Sequence, residues 1–245
     1  MSRVVLALPA YNEAQNLESL VASAQSVLAE ANPDFKIVVV DDGSTDGTGA
    51  LIDRMQDEGR VIAVHHPENR GLGGAILTAL AEALKLCSDD DDVVVNMDAD
   101  DTHDPSYIPG MLELIRGREA DVVIASRYRE GSREVGVPFH RRLLSRGARV
   151  VFQVALGLPD VRDYTCGYRA YTARVLRAAC AKYGDRLITR KGFACTDELL
   201  VHISTVSTRI TEVPFVLRYD KKQGRSKLPL FRTVYETLRM LLFRG

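Results

Sequence analysis

The sequence of 245 residues has no tryptophan, only four cysteines and no long hydrophobic run. Cys87, Cys166, Cys180 and Cys195 form no Cys-x-x-Cys pair, and their spacing is not that of a zinc finger. We therefore expect buried or incidental thiols, and neither a disulfide framework nor a zinc site. A spanning helix needs roughly 20 apolar residues, and the amino terminus leads directly into a predicted strand without a signal peptide. These absences predict a cytoplasmic protein.

Two common phosphate-binding loops are also missing. The glycine cluster at residues 69–74 (NRGLGG) lacks the third glycine of a dinucleotide fingerprint, and no Gly-x-x-x-x-Gly-Lys-Ser/Thr loop occurs. A nicotinamide dehydrogenase and a phosphate-loop ATPase are therefore disfavoured. We expect these glycines to let a helix approach the sheet closely, and they could also admit a ligand.

Charges of opposite sign are separated along the chain, although the net charge is only −1. Residues 1–126 contain 8 Lys and Arg against 23 Asp and Glu, whereas residues 127–245 contain 24 against 10. The basic half could meet phosphate groups, an acidic membrane surface or nucleic acid. Alternatively, the two halves could neutralise each other where they touch.

Hydrophobic periodicity predicts alternating strands and helices over the first half of the chain. Five apolar runs of strand length occur, at residues 4–8, 35–40 and 61–65, around Val93, and at residues 121–125. Their alternation with helical patterns predicts an α/β fold with a doubly wound, mostly parallel sheet. In such sheets ligands bind beyond the carboxyl ends of the strands, so we expect the functional residues there.

The most informative strand end contains Asp98 and Asp100. If the extended backbone continued through them, both carboxylates would lie on one face and would repel each other without a cation between them. A hard divalent ion is the usual occupant of such a site. Alternatively, these acids only end the strand, cap the next helix and solvate a loop. The four acids at residues 89–92, which precede the strand, are expected to form a solvated loop.

Two stretches of the second half combine an apolar stripe with arginines, at residues 140–158 and 230–244. Basic amphipathic helices of this type can lie in a membrane interface. An apolar stripe is more often part of a protein core, so both interpretations remain open.

Five motifs follow one another along the chain: residues 9–13 (PAYNE), 40–48 (VDDGSTDGT), 69–71 (NRG), 97–100 (MDAD) and 125–128 (ASRY). In order and spacing they resemble the family 2 glycosyltransferases of the A-type fold. Within that family, the chain resembles the polyprenyl-phosphate sugar synthases, the branch that includes the dolichyl-phosphate mannosyltransferases. Each motif alone is a weak signal, but the five in order are specific.

The resemblance implies roles for individual residues. The nucleotide of the sugar donor would contact Pro9, Tyr11, Glu13, Asp42 and Asp98. The acceptor phosphate would contact Arg127, Arg169, Ser226 and Lys227. Asp98 and Asp100 would hold Mg²⁺ or Mn²⁺ on the donor diphosphate, and the catalytic set would be Asp98, Asp100, Arg127, Arg169 and Lys227. Many relatives have Gln where this chain has Thr102, so the roles of Thr102 and His103 at the metal stay open.

The resemblance also implies an activity and a domain plan. We expect an inverting transfer of a hexose, mannose from GDP-mannose, to a polyprenyl phosphate, by a peripheral protein on the inner face of the membrane. The alternatives are UDP-glucose or another nucleotide sugar, and a sugar hydroxyl as acceptor. We expect no nucleic-acid partner, whereas a separate membrane-anchoring protein is possible. Residues 1–227 would form one catalytic domain, with a donor half at 1–126 and an acceptor half at 127–227, followed by an amphipathic helix at 228–245.

Overall fold

The computed structural model describes residues 2–137, the single residues 153 and 158, and residues 161–221. Most of the first predicted amphipathic helix, at residues 140–158, lies outside these residues. The second, at residues 230–244, lies wholly outside them, as do the predicted phosphate ligands Ser226 and Lys227.

Nine strands occur in the described part of the chain. They are β1 (Val4–Ala10), β2 (Phe35–Asp41), β3 (Ile62–His65), β4 (Val93–Asn96), β5 (Val122–Ser126), β6 (Arg133–Val135), β7 (Arg169–Thr172), β8 (Ile210–Pro214) and β9 (Val216–Arg218). Seven of them form one sheet in the order β3-β2-β1-β4-β7-β5-β8, and β6 pairs with β9 in a separate small sheet. Neighbours in the large sheet are parallel except for β7, which is antiparallel to β4 and to β5.

Six helices of the described residues connect or flank these strands. They are α1 (Leu17–Ala31), α2 (Thr48–Asp57), α3 (Leu72–Leu86), α4 (Ile108–Arg116), α5 (Ala173–Tyr183) and α6 (Ala194–Ser204). Helices α1 and α4 contact each other, whereas α3 contacts α5 and α6, as two layers on a doubly wound sheet would. None of the described helices is long and apolar enough to cross a membrane.

The predicted fold class is confirmed, because the apolar runs of the first half form the parallel strands. Strand β1 is buried along all seven residues, which explains its continuous apolar sequence. Helix α1 buries the side chains that its helical spacing predicted: Leu17, Leu20, Val21, Ala24 and Leu28.

Two features differ from expectation. The sheet contains β7, a four-residue antiparallel strand that carries the charged Arg169, and its short mixed sequence shows no strand periodicity.

Strand β4 ends at Asn96, so the backbone is not extended through Asp98 and Asp100. The expectation that strand alternation places these two carboxylates on one face is therefore wrong, and the loop that follows β4 determines their positions.

Candidate active site

The carboxyl ends of β1, β2, β4 and β5 share one edge of the sheet, where the predicted donor residues lie. Because β7 runs in the opposite direction, its first residue and the preceding segment 163–168 reach the same edge. The Asn96 side-chain amide donates to the carbonyl of Gly167 at 2.9 Å, so the end of β4 is tied to that segment. The antiparallel strand thus brings residues of the second half beside the acidic loop.

Local hydrogen bonds shape the acidic loop after β4. The hydroxyl and backbone N–H of Thr102 donate to Asp100 Oδ1 at 2.6 and 3.2 Å. The backbone N–H of Asp98 donates to Nδ1 of His103 at 3.1 Å. Asp101 between them has φ of +58°, a conformation in which Asp is tolerated. Thr102 therefore orients one carboxylate, a role that sequence reasoning left open.

The ring of His103 forms the buried base of this loop. It stacks on Tyr168 with ring centroids 5.1 Å apart and meets the edge of Phe215 at 5.4 Å. The hydroxyl of Tyr168 donates to the carbonyl of Asp104, and burial raises the pKa of this tyrosine well above its usual value. The His103 imidazole is thus held between aromatic side chains while it accepts a hydrogen bond from the acidic loop.

The donor set of the loop fits a divalent ion completed by a substrate. Asp98 is about one-third exposed, and its Oδ1 lies 3.6 Å from the point where a Cβ at Gly167 would stand. A glycine at position 167 therefore keeps a side chain away from this carboxylate. Among the described residues, no three His, Cys, Asp or Glu side chains form a metal cluster. Mg²⁺ in phosphate-transfer sites typically binds one or two carboxylates together with substrate phosphates and water, and Asp98 and Asp100 supply such a pair.

The first two motifs are joined by hydrogen bonds at the ends of β1 and β2. The backbone N–H of Asn12 donates to Ser44 Oγ at 2.9 Å, and Asn12 Oδ1 accepts from the N–H of Thr45 at 2.8 Å. The backbone N–H of Glu13 donates to Thr48 Oγ1 at 2.9 Å. Asn12 has φ of +57°, a region that Asn visits more readily than most residues. Both motifs therefore build one surface.

The predicted donor residues on this surface differ in exposure. Pro9 is buried within β1, whereas Tyr11 and Glu13 are partly exposed. Glu13 accepts from the side-chain amide of Asn16 at 2.9 Å, which orients its carboxylate. Tyr11 and Glu13 are thus the members of the first motif that an incoming ligand could reach, and their contact with the nucleotide stays a prediction.

Asp42, another predicted donor residue, is buried in a network that sequence reasoning missed. Its Oδ1 accepts from His66 Nδ1 at 2.7 Å and from the N–H of Arg70 at 2.9 Å, while its Oδ2 accepts from the N–H of Gly71 at 2.9 Å. The other nitrogen of His66 lies 2.9 Å from the hydroxyl of Thr78 on α3. Asp42 therefore fixes the start of the glycine loop, and a direct nucleotide contact stays a prediction.

The glycine loop packs against backbone from the second half. A Cβ at Gly73 would overlap the carbonyl oxygen of Arg190, and one at Gly71 would lie 2.5 Å from that of Lys191. The opposing loop is held by Glu198 of α6, whose Oε2 accepts from the N–H of Arg190 at 3.0 Å. The close approach that these glycines permit is therefore between the start of α3 and this loop, and not the expected approach of the helix to the sheet.

Arg127, a predicted phosphate ligand, forms a buried ion pair with Asp163. Its Nε donates to Asp163 Oδ2 and its Nη2 to Oδ1, both at 2.7 Å, and Nη2 also donates to the Thr165 hydroxyl. Burial alone would raise the pKa of Asp163, but the adjacent guanidinium holds it below its ordinary value. The third nitrogen, Nη1, lies 4.0 Å from Glu134. Arg127 therefore anchors segment 163–168.

A second acid, absent from the sequence predictions, supports the same segment. Glu212 on β8 accepts from the N–H groups of Arg162 and Asp163 at 2.7 and 2.6 Å through one carboxylate oxygen. Its other oxygen lies 2.9 Å from Nε of Arg129. Burial raises the pKa of Glu212, and the hydrogen bonds and the arginine offset only part of that effect.

Arg169 is fully buried, which is at odds with the predicted phosphate contact. Its Nη1 donates to the carbonyl of Thr196 and its Nη2 to the carbonyl of Tyr164, each at 2.7 Å. The side chain therefore joins the start of β7 to α6 and to segment 163–168. Its position is that of a structural cation and not of an accessible ligand.

All four cysteines are free, as predicted. Cys87, Cys166 and Cys195 are buried, and Cys180 is half-buried. Burial raises the pKa of Cys166 to about 12 and that of Cys87 to about 11, so both are protonated thiols at neutral pH.

The sheet order, with the acidic loop beyond β4, is that of the A-type glycosyltransferase fold. The same fold occurs in the crystal structure of glucosyl-3-phosphoglycerate synthase from Mycobacterium tuberculosis in complex with Mn²⁺, uridine diphosphate and phosphoglyceric acid. The TM-score is 0.70 over 99% of this chain and 78% of that chain, at 22% sequence identity. Residues 6–178 match the family model for glycosyl transferase family 2, and the chain belongs to that family.

Relatives of higher identity lie in the polyprenyl-phosphate branch, which confirms the resemblance inferred from the motifs. The chain is 34% identical over 227 residues to undecaprenyl-phosphate mannosyltransferase of Micrococcus luteus, covering 92% of this chain and 87% of that protein. It is 33% identical over 228 residues to polyprenol monophosphomannose synthase of Mycolicibacterium smegmatis, covering 92% and 81%. Dolichol-phosphate mannosyltransferase of Pyrococcus furiosus is 32% identical over 97% of this chain and 62% of its own length.

Proposed function

We propose that this glycosyltransferase transfers mannose from GDP-mannose to a polyprenyl phosphate with inversion at the sugar carbon. The names of the relatives at 32–34% identity support the sugar and the acceptor class. The observation that carries the proposal is the pair Asp98 and Asp100, held at the edge of the sheet beside Gly167. This arrangement places two carboxylates, of which Asp98 is about one-third exposed, at the edge of the sheet where a donor diphosphate would approach.

In this proposal Asp98 and Asp100 hold Mg²⁺ or Mn²⁺ on the donor diphosphate. When bound there, a divalent ion would supply positive charge to offset the charge that grows on the leaving nucleoside diphosphate. Thr102 keeps Asp100 oriented through its 2.6 Å hydrogen bond, so this carboxylate needs little reorganisation when the donor binds. His103 likewise holds the loop backbone in place, because its Nδ1 accepts a hydrogen bond from the N–H of Asp98.

The nucleoside is proposed to bind along the joined first and second motifs. Tyr11 and Glu13 are partly exposed there and would make direct contacts with the base or ribose. Pro9 and Asp42 are buried, so we propose that they shape the surface and the glycine loop from below.

The acceptor is proposed to need positioning more than proton transfer. A phosphate monoester with a second pKa near 6 is largely dianionic at neutral pH, so the attacking oxygen needs no general base. We propose that Arg127 presents Nη1 to the acceptor phosphate while Asp163 holds its other nitrogens, and that Ser226 and Lys227 also bind this phosphate. Arg169 would act as a positioning residue, since it is fully buried.

We propose that the protein works peripherally at the cytoplasmic face of the membrane, where a polyprenyl chain would lie, with or without an anchoring protein and without a nucleic-acid partner. The basic amphipathic stretches at residues 140–158 and 230–244 support this proposal by their sequence. Flotation with vesicles of anionic lipid tests it, because binding should be strong at low salt and weaken as salt rises. An absence of vesicle binding at every salt concentration would contradict it.

A panel of radiolabelled nucleotide sugars tests the donor and the acceptor together. Each donor is incubated with polyprenyl phosphate or with the matching polyprenol in detergent and Mg²⁺, and label in the lipid phase is counted. GDP-mannose with the phosphate acceptor should give the highest rate, and NMR of the product should show the opposite anomeric configuration to the donor. Preference for UDP-glucose, or equal use of the alcohol, would overturn the proposal.

A further inference from the structure

A cavity of about 440 Å³ lies at the opposite edge of the sheet from the acidic loop. Its lining residues surround the amino ends of β4, β5 and β8 and include four arginines and two aspartates: Arg116, Arg118, Arg174, Arg209, Asp91 and Asp121. We call this the arginine cleft. Asp121 directly precedes β5 and Arg127 directly follows it, so roughly 20 Å of extended chain separates the cleft from the active-site edge.

The carboxylates in the cleft do not balance its guanidinium groups. Asp121 Oδ1 lies 2.7 Å from Arg174 and 3.9 Å from Arg209, so one carboxylate serves two arginines. Its other oxygen accepts from the Ser207 hydroxyl at 2.8 Å. Asp91 lies 3.7 Å from Arg118. Among the lining residues, two carboxylates thus face four guanidinium groups. Asp90, just outside the lining, also acts on Arg174 but is paired with Arg177, so the lining keeps a positive excess.

The positive charge of the cleft is unusual for this chain, because two of its four arginines belong to the acidic half of the sequence. Residues 1–126 contain only 8 Lys and Arg against 23 Asp and Glu. Two of those cations, Arg116 and Arg118, enter the cleft from the end of α4 and meet Arg174 and Arg209 of the basic half. The most acidic part of the chain therefore contributes half of a cationic site.

The backbone conformation at Arg118 is an independent indication that this arginine has a role in the cleft. Helix α4 ends at Arg116, Gly117 has φ of −66°, and the left-handed position with φ of +58° falls on Arg118. Glycine is the favoured residue at that position of a helix end, since a side chain there costs backbone free energy. The arginine is accommodated at this strained position, where its side chain is 82% exposed and lines the cleft.

We propose that the arginine cleft binds a ligand that carries one or more phosphate groups. Guanidinium groups bind phosphate oxygens through paired hydrogen bonds, and the cavity has the volume of a small-molecule site. Asp91 and Asp121 also line it and could accept hydrogen bonds from ligand hydroxyl or amino groups. This site is separate from the proposed transferase site and does not depend on its substrate.

Isothermal titration of the full chain with pyrophosphate, at low ionic strength and without divalent metal, tests the proposal. The parent should bind pyrophosphate saturably. Arg118→Gly and Arg209→Ala should each weaken binding roughly tenfold, because each removes charge-assisted hydrogen bonds to the anion. Arg186→Ala removes the same charge from an exposed position that does not line the cleft, and it should leave the affinity nearly unchanged.

Arg118→Gly also separates binding from folding, because glycine relieves the left-handed backbone. Its midpoint of urea unfolding should equal or exceed that of the parent while its pyrophosphate affinity falls. No pyrophosphate binding by the parent, or an equal loss in Arg186→Ala and the cleft variants, would overturn the proposal.

Vesicle flotation distinguishes the two sources of a phosphate group. If phosphatidylglycerol vesicles bind the parent and Arg118→Gly equally while pyrophosphate affinity differs, the cleft takes a soluble phosphorylated molecule. If Arg118→Gly also weakens vesicle binding relative to Arg186→Ala, the cleft takes lipid headgroups. Both results support the phosphate chemistry of the site.

Discussion

The ion pair of Arg127 and Asp163 allows a sharp prediction about stability. Asp163 is fully buried and receives three hydrogen bonds from Arg127, at 3.0 Å from its backbone and 2.7 Å twice from its side chain. Asp163→Asn keeps the shape but removes the hydrogen-bonded counter-charge of a buried guanidinium, which keeps only Glu134, at 4.0 Å, as a paired carboxylate among the described residues. Removing one partner of such a pair costs about 3–5 kcal/mol, and we expect that loss in the free energy of unfolding measured with urea.

A double-mutant cycle tests whether loss of the ion pair causes the expected fall in the free energy of unfolding. Once Asp163 is replaced by Asn, Arg127→Met should cost much less than it does in the parent, with a coupling energy of about 1–3 kcal/mol. Arg54→Ala is the control, because its pair with Glu18 is exposed and should contribute at most about 1 kcal/mol. An Asp163→Asn protein within about 1 kcal/mol of the parent would refute the reasoning.

The stability difference between the parent and Asp163→Asn should depend on pH, and the direction follows from the pKa of Asp163. The folded-state pKa of Asp163 lies below its ordinary value of 3.8, because Arg127 outweighs burial. The unfolded state therefore binds the proton more readily, and the stabilisation is fully present above pH 3.8. It is lost as the pH falls through the folded-state pKa. The stability difference between the parent and Asp163→Asn should shrink in that range.

Three further experiments test other residues of this region. Thr102→Val removes the hydroxyl that orients Asp100, so kcat should fall roughly tenfold, while Thr102→Ser should restore it; equal rates for Val and Ser would contradict the role. His66→Phe should raise KM for the donor more than it lowers kcat, because Asp42 and the glycine loop lose a partner; an unchanged KM would argue against it. Cys166 should resist iodoacetamide at pH 8 in the folded protein and react after unfolding, since burial raises its pKa to about 12; rapid labelling of the native thiol would refute this.

The first half of the fold was predictable because its strands are buried and its helices have apolar faces. Strands such as β1 need continuous apolar runs, and α1 needs apolar residues at helical spacing, so both leave a clear pattern. Strand β7 leaves none, because it has four residues and buries Arg169 among them. Its direction depends on pairing with β4 and β5, which are distant in sequence.

The candidate site was predictable only as far as its motifs are local. Asp98 and Asp100 were found from their place after an apolar run, although the loop and not strand alternation positions them. The contact of His66 with Asp42 spans 24 residues, and that of Glu212 with Asp163 spans 49, so neither has a local signature. The burial of Arg169 was missed for the same reason, since its partners belong to other elements.

The proposed function requires that Asp98 and Asp100 hold a divalent ion for mannosyl transfer to polyprenyl phosphate. The most direct measurement is the rate of label transfer from GDP-mannose to the lipid phase as Mg²⁺ is titrated, for the parent, Asp100→Asn and Asp57→Asn. Asn at position 100 can still accept from Thr102, so the loop should persist. Asp57 is exposed on α2 and controls for the loss of a charge. We expect Asp57→Asn to follow the parent and Asp100→Asn to lose about 100-fold or more in rate. Equal turnover of Asp100→Asn and the parent at limiting Mg²⁺ would contradict the proposal.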